Sequence, residues 1–120
     1  MSKQRLQIEQ IGDVTLVCFL DRRILDESVI QMISDQLFNL VEQEGRRKLL
    51  LNFSNVDYLS SAALGKLINL HRKLEALEGE LFLANVIPQI REVFKVTKFD
   101  RVFTIFADQA AAMAAFSDRK

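Results

Sequence analysis

The stretch Lys48-Leu49-Leu50-Leu51-Asn52-Phe53-Ser54-Asn55-Val56-Asp57-Tyr58-Leu59-Ser60-Ser61-Ala62-Ala63-Leu64-Gly65-Lys66-Leu67 decides the fold. Residues 48–53 hold Leu49, Leu50 and Leu51 side by side, a run that suits a strand covered on both faces at the centre of a parallel sheet. A polar connection over residues 54–57 leads through Tyr58-Leu59 into a segment where Leu64, Leu67, Ile68, Leu70, Leu74 and Leu77 recur at three and four, the period of an amphipathic helix. Gly79 is expected to close that helix.

Upstream, Leu6 and Ile8 alternate with polar residues, Gly12-Asp13 supplies a turn, and residues 14–20 are rich in strand formers, so a hairpin opens the chain. Over residues 27–42, Val29, Ile30, Ile33, Leu37, Leu40 and Val41 predict a helix, with Asp26 or Ser28 as its cap and Gly45 as its end. Downstream, residues 81–84 read as a strand. Pro88 lies in the first turn of a third helix with Ile90, Val93 and Phe94, residues 102–106 form the last strand, and Asp108 opens a fourth, alanine-rich helix. The expected order is β-β-α-β-α-β-α-β-α, a mixed sheet with an opening hairpin and a parallel centre.

At 120 residues, the chain is read as a single domain spanning residues 1–120, large enough for a core without metal or disulfide staples. Sixteen Lys and Arg balance sixteen Asp and Glu, so overall charge directs it neither to nucleic acid nor to an anionic membrane. Arg46-Arg47-Lys48 reads as a solvated strand entrance. No segment reaches the ~20 apolar residues that span a bilayer, and Met1-Ser2-Lys3-Gln4-Arg5 is not followed by a signal-type stretch; the cytoplasm is the expected location. Cys18, the one cysteine, is expected reduced and buried.

Catalytic chemistry finds little to build on. The sole histidine, His71, stands mid-helix and is expected to be a face residue. The four glycines lie at element ends without a phosphate-cradling pattern. Asp57 could imitate the phosphate acceptor of a response-regulator receiver, but no acidic pair ends the opening strands and no lysine follows the last one, so Mg²⁺ and counter-charge are missing. No cofactor and no metal is predicted.

Residues 56–67, following the strand over 49–54, resemble the STAS domain of anti-sigma factor antagonists, in which a strand leads to an Asp-Ser-Ser/Thr-Gly-Leu-Gly motif at a helix start. Leu64-Gly65 sets the frame: Ser60 falls on the motif's Asp, Ser61 on its phosphorylated serine, Ala62 on the second hydroxyl and Ala63 on the first glycine. Ile24-Leu25-Asp26 is similar to the family's Leu-Asp before the first helix, where the acid lies close to the phosphorylation site. The resemblance extends over nearly the whole chain and implies an α/β, single-domain STAS-like fold with about four helices.

It further implies a non-enzymatic binding module that sequesters an anti-sigma factor with serine-kinase activity and is released by phosphorylation at Ser61, with Ser60 as the alternative. A serine phosphatase is a further implied partner. Asp26, Leu59, Ser60, Ser61, Ala62 and Ala63 would form the contact patch, while periodicity assigns Leu64 to the core. A serine where a strand turns into a helix is also an ordinary N-cap, and with two in tandem one can cap while the other projects. The competing roles are a subunit of a self-associating signalling scaffold and a subunit of a lipid transporter, neither of which requires phosphorylation.

Overall fold

The opening hairpin forms because a two-residue turn needs a left-handed first position. Gly12 supplies it at φ +61°. In the computed structural model, which describes residues 5–118, β1 (Leu6–Ile11) and β2 (Val14–Phe19) pair antiparallel with Leu6 opposite Phe19 and Ile11 opposite Val14. A short β3 (Arg23–Ile24) precedes α1 (Glu27–Glu42), whose limits are those predicted.

β4 (Lys48–Asn52) occupies the centre of the sheet as expected. It is followed by the short β5 (Tyr58–Leu59), α2 (Ser61–Ala76), β6 (Glu80–Ala84) and α3 (Pro88–Thr97). A 3-10 turn (Phe99–Arg101), β7 (Thr104–Phe106) and α4 (Gln109–Asp118) complete the chain. The five-stranded sheet runs β1-β2-β4-β6-β7 and is parallel from β2 onward.

The alternation of β4 divides the core. Leu49 and Leu51 join the apolar faces of α1, α2 and α3, including Ile33, Leu37, Leu67, Leu70 and Phe94. Leu50 points the other way, to Leu16, Phe82, Ala112 and Phe116 under α4, where Phe82 and Phe116 stack at 4.2 Å. Burying each large side chain contributes about 1.5–3 kcal/mol. Asp108 caps α4, its Oδ1 accepting from the Ala111 N–H at 2.9 Å.

Four expectations change. The last strand begins at Thr104, because Val102 and Phe103 belong to the turn before it; Phe103 is a core plug, 5.6 Å edge-on from both Phe94 and His71. The residue that turns left-handed after α2 is Glu78 at φ +61°. Gly79 is required instead for close approach, since a Cβ there would sit 2.5 Å from the Arg47 carbonyl oxygen, which accepts the Glu80 N–H at 2.7 Å. Cys18 is half-buried rather than buried, and desolvation followed by the charge of Glu9 raises its thiol pKa. Finally, β3 and β5 pair with each other as a separate small parallel sheet, and that pair builds the site.

Candidate functional site

Two loops meet at the C-terminal ends of β2 and β4. The β3–β5 pair clips them together with Arg23 opposite Tyr58 and Ile24 opposite Leu59. The Arg22 carbonyl accepts the Asp57 N–H at 2.7 Å and the Ile24 carbonyl accepts the Ser60 N–H at 3.1 Å. Burial anchors the clip: Ile24, Phe53 and Val56 are each at most 1% exposed. Its outer braces are weaker. Arg22 donates to Asp57 Oδ2 through Nη2 at 2.7 Å and Nε at 3.0 Å, but the two side chains are 70% and 37% exposed, so solvent screening holds the pair to about 1 kcal/mol or less. The Arg23 guanidinium lies 4.7 Å over the Tyr58 ring, a contact of similar size at an exposed position.

One consequence of the clip is that the entrances of α1 and α2 lie side by side. Ser60 is the N-cap of α2, with φ −77° and ψ 164°, and its Oγ accepts the Ala63 N–H at 3.2 Å. Its carbonyl accepts the Leu64 N–H at 3.0 Å. That satisfies donors a helix start otherwise leaves open. Ser61, the first helical residue, is exposed, and its hydroxyl makes no hydrogen bond among the described residues. The sequence left open which serine caps and which projects; here Ser60 caps and Ser61 projects.

Asp26 is the N-cap of α1 by backbone conformation, yet its carboxylate makes no capping bond. Asp26 and Glu27 beside it are both exposed, and neither forms an ion pair among the described residues. The sequence-predicted patch therefore divides. Asp26, Ser61 and Ala62 are exposed, and Leu59 and Ser60 are half-buried. Ala63 is a correction: at 5% exposure it faces the core, because it lies on the same helical face as Leu67 and Leu70, and it adds no contact surface. Leu64, at 1%, is core as expected.

Three residues of the rim were not singled out by sequence. Leu20, Leu25 and Tyr58 are exposed at 50%, 43% and 55%. Apolar residues in short connections carry no periodicity, so only the adjacency of Leu25 and Tyr58 to the matched motif could have indicated them. Asp57 is held in its pair with Arg22, and His71, ten residues into α2, lies about 15 Å along the helix from Ser61. Among the described residues no three His, Cys, Asp or Glu side chains come together as a metal site, and no helix is long and apolar enough to cross a membrane.

Known proteins share this architecture and sequence pattern. A family model described as the STAS domain matches residues 5–112. BtrV of Bordetella bronchiseptica, named as a candidate anti-sigma factor antagonist, is 28% identical over 112 residues, 93% of this chain and 94% of that protein. A crystal structure of TM1081 from Thermotoga maritima, also described as a candidate anti-sigma factor antagonist, superposes with TM-score 0.81 at 21% identity, covering 92% of each chain. The phosphorylated form of the Bacillus cell-fate determinant SpoIIAA superposes with TM-score 0.70 at 20% identity, over 92% of this chain and 98% of that one.

Proposed function

This chain belongs to the STAS domain family, and on that premise we propose that it is a cytoplasmic anti-sigma factor antagonist whose docking rim is switched by phosphorylation of Ser61. The observation that carries the reading is the division of labour between the tandem serines: Ser60 Oγ is engaged as a cap, while Ser61 is exposed at the first position of α2. The partner is an anti-sigma factor with serine-kinase activity. It contacts Asp26, Ser61 and Ala62, with the exposed parts of Leu59 and Ser60 and the apolar flank of Leu25 and Tyr58. A kinase and, for the reverse step, a serine phosphatase act from outside the chain. The description of BtrV as a candidate anti-sigma factor antagonist and the phosphorylated form of SpoIIAA support this reading.

The modification transfers the terminal phosphoryl group of ATP to Ser61 Oγ. An O–P bond forms there, the hydroxyl proton passes to a base on the kinase, and ADP leaves. The product adds about −1.5 to −2 charge and three acceptor oxygens at the positive end of α2, where the helix dipole favours an anion by about 0.3–1 kcal/mol. The fold accepts it. Within an interface, a badly paired buried charge costs about 2–5 kcal/mol, which converts to roughly thirty-fold to several-thousand-fold in affinity. Modifying Ser60 would instead threaten a cap contributing about 1 kcal/mol, so the switch belongs on Ser61.

Incubation with the partner kinase, ATP and Mg²⁺, followed by site mapping in a mass spectrometer, tests the assignment. One phosphate on Ser61, absent from Ser61→Ala, is expected. A kinase that binds the chain yet modifies Ser60, or modifies nothing, would overturn it.

A further inference from the structure

A phosphate on Ser61 would need a counter-charge, and α2 itself offers none. Two of the backbone donors at its entrance are already taken, the Ala63 N–H by Ser60 Oγ and the Leu64 N–H by the Ser60 carbonyl. The positions three and four residues past Ser61, its neighbours on the helix surface, are Leu64, which is buried, and Gly65. Lys66 lies about 140° around the helix axis from Ser61, where it lines the crevice between α1 and α2 with Ile33 and Leu37. The nearby acids Asp26 and Glu27 are exposed and would repel a dianion.

The clip brings in two arginines. Arg22 is held by Asp57 through two hydrogen bonds. Arg23 is exposed and forms no ion pair or hydrogen bond among the described residues; its guanidinium rests 4.7 Å over the Tyr58 ring. Ile24 is buried and Leu59 packs against the core, so strand alternation sets Arg23, Tyr58 and Ser60 on the outer face. Arg23 stands directly opposite Tyr58. Ser61 follows three residues later, no more than about 10 Å along the chain, a gap that an extended arginine and a phosphoserine close between them.

We infer that Arg23 is the intramolecular receiver of a phosphate on Ser61, and that it leaves the Tyr58 ring to pair with it. The inference rests on Ser61 being the modified residue. Guanidinium-to-phosphate bonds are charge-assisted and match the planar fork of arginine, whereas an exposed aromatic face holds a cation only weakly, so the exchange runs toward the phosphate. Modification then changes the rim in two places. A dianion appears at Ser61, and the Tyr58 ring, 55% exposed, loses the cation stacked on it. A partner fitted to the stacked pair meets a different surface.

The test uses the full chain with phosphoserine placed at position 61 during synthesis by stop-codon suppression, so no kinase is involved. Phosphorus NMR follows the second ionisation of the phosphate, which lies near pH 6 without a partner. A neighbouring cation favours the dianion, so the midpoint in Arg23→Met is expected roughly half a unit or more above that of the parent. Arg23→Lys, which keeps the charge without the fork, should fall between them, and Lys66→Met should move the midpoint much less. The chain has one tyrosine and no tryptophan, so its intrinsic emission reports Tyr58 alone; phosphoserine should change that emission in the parent and leave it unchanged in Arg23→Met. Equal midpoints in parent and Arg23→Met, equal shifts from Arg23→Met and Lys66→Met, or a Tyr58 emission indifferent to phosphoserine in the parent would each overturn the inference. Because the phosphate is placed directly, these results are independent of whether a kinase selects Ser61, which site mapping decides.

Discussion

The entrances of α1 and α2 are held next to one another by the same clip and begin with the same extended N-cap conformation, yet they use their side chains in opposite ways. At α2, Ser60 commits its oxygen to the Ala63 N–H, and the next hydroxyl, Ser61, is left to solvent. At α1, Asp26 stands at the cap position and keeps its carboxylate out of the helix. One entrance separates the structural oxygen from the available one by a single residue. The other leaves its carboxylate exposed and outside the helix. A polar side chain at a helix start is thus a cap only if its bond is made.

The comparison breaks most completely if the clip is lost. Ile24→Ala removes a side chain that is 1% exposed and should cost about 2–5 kcal/mol, read as a lower urea midpoint, while also separating the two entrances and weakening partner binding. Ser60→Ala should cost about 1 kcal/mol through the lost cap. Asp26→Ala should change stability by under about 0.5 kcal/mol, since no capping bond exists to lose. Equal losses at Ser60 and Asp26 in matched denaturation curves would erase the distinction between the entrances. Smallest of all, a double-mutant cycle on Arg22 and Asp57 should give a coupling of roughly 0.2–1 kcal/mol that shrinks as salt is added, showing that burial of Ile24 and Val56, not the ion pair, holds the loops together.

Much of this architecture was legible in the sequence, because long periodic elements declare themselves. The limits of α1, the central position of Leu49-Leu50-Leu51 and the Gly12 turn followed from spacing and turn chemistry. The clip did not, since Arg23–Ile24 and Tyr58–Leu59 are too short to show any period. Phe103 was absorbed into a strand because its neighbours are β-formers, whereas packing against Phe94 and His71 governs it. Likewise Ala63 looked like contact surface beside the serines until the helix phase turned it inward. The tandem serines could be recognised as a pair from sequence, but which of them caps depends on where the first turn of α2 begins, a matter of one residue decided by the Ile24–Ser60 hydrogen bond.

The central claim, that charge on the Ser61 hydroxyl governs docking and leaves the fold alone, is tested most directly by calorimetric titration of the anti-sigma kinase with unmodified chain and with chain phosphorylated at Ser61. The account predicts affinity at least about thirty-fold lower for the phosphorylated form. Equal affinity for the two forms, with the phosphate verified on Ser61, would contradict it.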